Sequence, residues 1–310
     1  MRTVIDIYRT DENGNKIYIA KDLHNANSYN ARVDLMEEGF GLKRNDTHHK
    51  PFKNFECFKR DLVKRWGGNK IVSCEVLPEF ANPQSLEAEE SLILEKYGSK
   101  NNRRALWFDI GRGGAQINTL TNQIQSTYNF NTTLYDCIPF RLTTDPLPEA
   151  YKTYGLGLKI TFEMASGKST KPMFAYYHKR VTCEEVIDGP EDKSTFDPAT
   201  ASTNTTDSVF VDPANIASKT ITVAIKTTGT IASNEVVEFY EFLNGTSAGA
   251  FVNEIGFVRS KVMRNTSDAD LEYPITDWDD CELYTHLESN NFDMSGSKSD
   301  VTISYMFYFN

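Results

Sequence analysis

The sequence lacks any long apolar run. No stretch approaches the roughly 18 consecutive apolar residues of a membrane-spanning helix. The first residues also lack the apolar core of a signal peptide, since Asp6 lies within the first predicted strand. We therefore expect a chain that folds in a cytoplasm and has no membrane span.

Cysteine is sparse and widely spaced. The 310 residues contain five cysteines, an odd number, and none has the Cys-x-x-Cys spacing that zinc sites and redox motifs use. We expect reduced thiols in the core, with neither a disulfide framework nor a bound cofactor. The five are Cys57, Cys74, Cys137, Cys183 and Cys281.

Basic residues are too few for a chain devoted to nucleic acid. Lysine and arginine total 33 against 43 aspartates and glutamates, a net charge of −10. This balance argues against a protein that lives wholly on nucleic acid or anionic membrane. Residues 1–100 hold 16 charges of each sign, so the acidic excess lies in residues 101–310. The predicted secondary structure changes at the same place, and we predict a domain boundary near residues 99–104.

The first predicted domain, residues 1–100, mixes strands and helices. Alternating apolar residues predict the strands, whereas three-to-four-residue spacing and capping residues predict the helices. We therefore predict an α+β fold for this domain. The predicted elements are a strand at 3–8, a turn at 11–15, a strand at 16–20, helices at 28–38 and 54–66, a strand at 71–77 and a helix from Asn82 to Gly98.

The second predicted domain, residues 101–310, is dominated by short strands. Strands of this number and length, separated by Gly, Asn and Ser turns, favour a β-sandwich or jelly-roll-like fold. A Thr-, Ser-, Asp- and Pro-rich segment at 188–208 is predicted to be a surface loop. The predicted strands lie at 106–110, 134–142, 156–164, 173–181, 208–212, 219–226, 235–243, 251–262 and 301–309.

The order of elements over residues 1–98 resembles the GIY-YIG endonuclease domain. In that family a hairpin carries the two namesake motifs around an Asn-Gly turn, the place taken here by Asn13 and Gly14. Residues 16–20 stand where Lys-x-Tyr-Ile-Gly is expected, and residues 66–69 look like the Tyr-Gly-x-x-Asn motif. The residues that resemble the family's final helix are Leu86, Glu89, Ile93 and Tyr97.

The resemblance implies a phosphodiester-hydrolysing site with one Mg²⁺ ion. Such a site needs a water activated near tyrosine, an arginine that stabilises the phosphoryl charge, and a carboxylate that holds the metal. Residue-by-residue matching implies these roles for Tyr18, Arg32 and Glu89. Alternatively, Tyr18 is an aromatic residue of a strand without a catalytic role, and Arg32 and Glu89 are solvent-exposed charged residues of helices.

The chain departs from the family pattern at three hairpin positions. Alignment on the turn puts Ile5 in the place of the first tyrosine, and Thr3 and Ala20 in the places of two glycines. Loss of the tyrosine removes the hydroxyl that would polarise the nucleophile. Tyr8 is out of register, and alternation puts it on the face opposite Ile5. We therefore predict a degenerate module.

A basic segment spans residues 43–70. It carries nine basic residues against three acidic ones, which would bind DNA phosphates in a salt-dependent way without sequence choice. Alternatively, these residues are only the charged outer face of an amphipathic helix. The predicted DNA-binding residues are Lys53, Lys59, Arg60, Lys64 and Arg65.

Two glycine-containing loops lie in the second half. Residues 111–114 are either an anion-binding backbone nest or a flexible connector. Residues 166–170 are similar to the end of a phosphate-binding loop, but Phe162 occupies a required glycine position and a strand follows. A hairpin turn is therefore predicted there.

Residues 108–114, 134–141 and 175–180 form three distinctive stretches of sequence. They resemble segments found in structural proteins of tailed bacteriophages, particularly those that infect Bacteroidetes. The resemblance implies a virion component that is made in a bacterial cytoplasm. Such proteins present β surfaces to identical copies in rings or shells.

The sequence thus predicts a virion structural protein of the head, neck or tail. Its expected partners are its own copies, other virion proteins, and DNA through residues 43–70. The alternative is a Mg²⁺-dependent endonuclease with a β-rich accessory domain. A carbohydrate-binding β-sandwich is disfavoured because Trp66, Trp107 and Trp278 are widely scattered.

Overall fold

The computed structural model shows a mostly β protein built from antiparallel sheets. It describes residues 2–23, 26–27, 66–81, 106–114, 116–118, 123–125, 134–167, 169–188, 222–260, 281–295 and 299–308. The β-rich architecture predicted for the second half is confirmed. Within these ranges, no helix has the length and apolar character needed to cross a membrane.

The described strands are numbered β1 to β16 in chain order. Their bounds are β1 Arg2–Thr10, β2 Lys16–Leu23, β3 Ala26–Asn27, β4 Lys70–Val76, β5 Leu106–Gly111, β6 Gln116–Asn118, β7 Gln123–Gln125, β8 Cys137–Ile138, β9 Arg141–Thr143, β10 Tyr154–Glu163, β11 Thr170–Arg180, β12 Thr182–Asp188, β13 Thr222–Ile231, β14 Phe251–Ser260, β15 Cys281–Asp293 and β16 Val301–Tyr308.

One sheet has the order β12-β13-β16-β1-β2, so β2 and β12 are its edges among the described strands. Its register pairs Ile5 with Tyr305 and Ile7 with Ile303, and all four side chains are buried. Because side chains alternate along a strand, Tyr8 lies on the opposite face. We call this opposite face the outer face of the sheet.

A second sheet follows the order β3-β15-β14-β5-β11-β10-β4, with β8 and β9 paired beside it. The two sheets contact each other through aromatic side chains, since the rings of Phe257 and Tyr305 are 5.0 Å apart. The chain passes directly between the sheets at Val181, the single residue that separates β11 from β12. The core is therefore shared by both sheets.

The predicted N-terminal hairpin is confirmed as β1 and β2. Asp11 closes the turn, because its carboxylate accepts the backbone N–H groups of Asn13 and Asn15 at 2.9 and 2.7 Å. Gly14 has a φ of 83°, a conformation that glycine adopts without steric cost. The hairpin turn predicted at 166–170 is also confirmed, since it joins β10 to β11.

Strands from the first hundred residues pair with strands from the second half. β1 pairs with β16, and β4, which confirms the strand predicted at 71–77, pairs with β10. The described strands therefore do not separate into different sheets at residue 100. The helices predicted at 28–38, 54–66 and 82–98 and the loop at 188–208 fall on residues outside the described ranges, apart from Trp66 and Asp188 at their ends.

The strand predicted at 235–243 is wrong. After the short helix α1, Pro78–Ala81, the structure has helix α2, Val237–Asn244, at this position. Acidic residues recur at every third position here, at Glu235, Glu238 and Glu241, which is helical spacing. The buried Phe239 and Tyr240 lie between them, so a period of three was mistaken for alternation.

The remaining strand predictions have mixed outcomes. Those at 106–110, 156–164, 173–181, 251–262 and 301–309 are confirmed as β5, β10, β11, β14 and β16. The strand predicted at 134–142 is interrupted at Pro139 and Phe140 and forms only β8 and β9. The strand predicted at 219–226 is confirmed over its described residues as part of β13. The strands β3, β6, β7, β12 and β15 were not predicted, and the strand predicted at 208–212 lies outside the described residues.

Candidate functional site

The described structure contains one residue of the nuclease site implied by the resemblance, Tyr18 on β2. The others fall outside the described residues, so the metal ligand and the DNA-binding segment stay predictions. These residues are Arg32, Glu89, Lys53, Lys59, Arg60, Lys64 and Arg65. Within the described ranges, no group of three or more His, Cys, Asp or Glu side chains could hold a metal ion.

Tyr18 lies directly opposite Tyr8, which the sequence alignment had left out of register. The hairpin turn sets this pairing, since Thr10 pairs with Lys16 and Arg9 with Ile17 in unbroken register. Two register shifts lie beyond Tyr18, where β2 has extra residues around Ile19 and between Ala20 and Leu23. The two rings have centroids 5.8 Å apart. Each also has a lysine above it, with Lys16 Nζ 4.4 Å from the Tyr8 centroid and Lys21 Nζ 5.2 Å from that of Tyr18.

The exposed large apolar side chains of the described residues lie on two strands only, β2 and β4. Each strand ends a sheet. Such edges present unpaired backbone N–H and C=O groups, and apolar side chains there favour pairing with another chain. We call β2 and β4 the apolar edges. Their exposed fractions are 57% for Ile17, 43% for Tyr18, 39% for Ile19, 55% for Val72 and 38% for Val76.

Backbone N–H groups of Gly113 and of residues 135 and 136 surround the chain's own Glu254, and we call this arrangement the Glu254 nest. The fully buried Glu254 carboxylate accepts backbone N–H groups from Gly113 and Asp136 at 3.3 and 3.2 Å, and another from Tyr135. His286 Nε2 lies 2.8 Å from its second oxygen. Four hydrogen-bonding groups therefore converge on a charge that would be costly to bury alone.

Glycines are required in this nest by close backbone approach. A Cβ at residue 111 would lie 2.2 Å from Glu254 Oε2, and one at residue 114 would lie 2.3 Å from the Asn253 carbonyl oxygen. The nest is completed by Arg112, whose Nε donates to Asp136 Oδ2 at 2.8 Å. The loop at 111–114 is therefore held at several points.

A second buried carboxylate fixes strand β11. Asp109 accepts the backbone N–H of His178 at 2.8 Å, and its other oxygen lies 2.6 Å from His178 Nδ1. His178 has a φ of 58°, so the carboxylate holds a strained residue inside a strand. Both side chains are almost fully buried. The pair therefore supports the fold and is closed to substrate.

Helix α2 anchors two further ion pairs that sequence analysis missed. Glu235 accepts from the Tyr154 hydroxyl and from Lys179 Nζ, both at 2.6 Å. Glu238 binds Arg141 through two hydrogen bonds of 2.8 and 2.7 Å, a bidentate geometry that is strong and directional. The missed signal was the three-residue acidic repeat of α2.

Residues 108–114, 134–141 and 175–180, the three stretches singled out in the sequence, meet in space. Residues 108–114 and 175–180 are joined by the Asp109–His178 pair, and residues 134–141 join them at the Glu254 nest and through β8. The buried polar network is therefore built largely from these stretches. The network stabilises the contacts among β5, β8, β11 and β14, which all belong to the second sheet.

Tyr240 gives a measurable pH dependence. Burial raises its pKa to about 12 from an ordinary value of 10.0, and its hydroxyl donates to the Phe251 carbonyl at 2.8 Å. A raised pKa means that the stabilisation is complete below pH 10 and is lost as the pH rises through 12. We expect the free energy of unfolding to fall by about 2 kcal/mol over this interval.

Urea unfolding at several pH values between 9 and 12 measures this loss. The variant Tyr240→Phe cannot ionise, so its stability should decline less steeply with pH. Equal slopes for the two proteins would show that Tyr240 is not responsible.

Comparison of the chain with protein-family models, curated proteins and solved structures finds no match. Function must therefore be argued from the geometry above.

Proposed function

We propose that this chain is a structural component of a tailed-bacteriophage virion, in its head, neck or tail. It acts by binding copies of itself and other virion proteins. The observation that carries this proposal is that, among the residues whose burial the structure describes, the exposed large apolar side chains lie on the apolar edges β2 and β4. The extent of the antiparallel sheets and their closed polar network supports an architectural role.

Edge strands suit repeated assembly. An exposed edge offers backbone hydrogen bonds over its whole length, and apolar side chains add area that is removed from water on pairing. In a ring or shell, symmetry repeats each contact once per subunit, so a modest edge contact is sufficient.

The N-terminal module would serve this assembly as a degenerate GIY-YIG-like domain reused for contact. Ile5, at the position of the family's first tyrosine, is fully buried and paired with Tyr305. No hydroxyl can be presented from that position without disrupting the core. DNA contact through residues 43–70, the absence of a cofactor, and assembly in a host cytoplasm belong to the same proposal.

Light scattering of the purified chain tests the proposal. We expect multimers whose mass rises with concentration. The double variant Ile17→Ser/Val72→Ser should weaken them at least tenfold in concentration, because it removes the most exposed apolar side chain of each edge. Lys159→Gln, an exposed change on β10, is the matched control and should assemble normally. A chain that stays monomeric with virion partners present would contradict the proposal.

A second candidate function, a Mg²⁺-dependent endonuclease, is favoured by one observation. Tyr8 and Tyr18 lie side by side on one face of the hairpin, so a tyrosine pair exists even though Ile5 replaces the family's first tyrosine. Incubation with plasmid and Mg²⁺, beside the Glu89→Gln variant, tests this candidate. Nicking that the substitution abolishes would replace the structural proposal with the enzymatic one.

A further inference from the structure

The two edges of the five-stranded sheet carry opposite charge. Edge strand β2 has two exposed lysines, Lys16 and Lys21, and one acidic residue, Asp22. Edge strand β12 has the acidic residues Glu184, Glu185 and Asp188 and no basic residue. A basic edge therefore ends the sheet on one side and an acidic edge ends it on the other.

We infer that β2 of one copy pairs with β12 of a second copy, so that the five-stranded sheet continues from subunit to subunit. This inference rests on the proposed function and names the surfaces that would carry it. The occupant of each edge is a second copy of this chain, because one molecule offers both halves of the complementary pair. Opposite charge selects this pairing over β2 with β2 or β12 with β12, in which like charges would meet.

The strand directions permit this continuation. All neighbours in the sheet are antiparallel, so its first and fifth strands, β12 and β2, run in the same direction. A copy displaced along the sheet therefore brings its β12 parallel to β2 and keeps both outer faces on the same side. Parallel ladders are evenly hydrogen-bonded, and either edge can supply its free backbone groups.

One backbone register of this pairing brings oppositely charged residues to the same level. It sets Lys16 level with Glu184 and Tyr18 level with Val186. The bulge at Ile19 adds one residue to β2, which brings Lys21 to the level of Asp188. Each lysine of β2 is then level with an acidic residue of β12.

Glu184 on β12 and the apolar side chains of β2 stay accessible to a second copy of the chain. Glu184 pairs with Lys226 at 3.1 Å, yet 60% of its side chain remains exposed. On β2, the exposed Ile17 and Tyr18 supply apolar area at the same edge. Because the contact joins two different edges, it is heterologous, and it forms a ring if the rotation between subunits closes or a filament if it does not.

Charge reversal of each edge tests this contact in the full-length chain. The variants are Lys16→Glu/Lys21→Glu and Glu184→Lys/Asp188→Lys, measured by light scattering and sedimentation at low salt. Each variant alone should lose the multimers, since both of its edges then carry the same sign. An equimolar mixture should regain them, because edges of opposite sign are present again. Recovery also shows that both variants are folded.

The possible failures of this test are distinguishable. Multimers that persist in both variants, or a mixture that stays monomeric, would overturn the β2–β12 contact and leave self-assembly through another surface standing. A wild-type chain that is monomeric at every concentration would contradict the proposed function itself, and this contact with it.

Discussion

Replacement of Glu254 by glutamine is expected to lower the free energy of unfolding by about 3 kcal/mol. The carboxylate is fully buried and accepts N–H groups from Gly113, Tyr135 and Asp136 beside His286. Glutamine has the same shape, but its amide nitrogen is a donor and would face groups that also donate. Buried donors without an acceptor are among the costliest single defects in a core.

Urea denaturation followed by circular dichroism measures this effect. Glu163→Gln is the matched control, because Glu163 is exposed on β10 and its change should cost less than about 0.5 kcal/mol. A loss below about 1 kcal/mol for Glu254→Gln would mean that the nest does not depend on its carboxylate.

Truncation of Trp66 to alanine is expected to cost about 4 kcal/mol. Trp66 is fully buried, and its ring lies 5.1 Å from Phe162, 5.2 Å from Phe239 and 5.9 Å from Phe242. These partners belong to β10 and α2, in the second half of the chain. The substitution therefore removes an aromatic cluster that joins sequence-distant segments and leaves a large cavity.

The number of unfolding transitions also tests whether Trp66 couples the two halves of the chain. If Trp66 joins the two halves energetically, Trp66→Ala should shift a single cooperative transition, and Trp66→Phe should shift it less. Two separate transitions, with only one moved by the substitution, would show instead that residues 1–100 unfold as an independent domain, as the sequence predicts.

Local pattern was sufficient to predict much of the fold. The hairpin β1–β2 follows from alternation around Asp11 and Gly14, and residues 301–306 of β16 alternate between buried and half-buried positions. Such signals depend only on neighbours in the sequence. The register of β1 with β16 could not be predicted, because that pairing joins residues almost 300 positions apart.

Elements with polar residues at buried positions were missed. β15 places Thr285 and His286 in the interior, and these residues hide the alternation of its leucines. Helix α2 was assigned as a strand because apolar residues occupy two of every three positions, and the helical spacing of its acidic residues was overlooked. For β15, tertiary burial, not local preference, selects the structure.

Some residues of the candidate site could be identified from the sequence, but the residues from other strands that contact them could not. From the sequence, residues 111–114 are either an anion-binding nest or a flexible connector, and nothing in it indicates that Glu254, on another strand, contacts the loop. By contrast, alternation puts Tyr8 on the face opposite Ile5, and the register of the turn sets it opposite Tyr18. Only the bulges beyond Tyr18 leave no mark in the sequence. Charge composition does identify β2 as basic and β12 as acidic, once the structure makes them edges.

Electron microscopy of the purified full-length chain is the most direct test of the central claim that this protein assembles through its sheet edges. The account predicts regular rings or filaments with one repeating contact between subunits. Isolated monomers under the same conditions, together with plasmid nicking that requires Glu89, would contradict it.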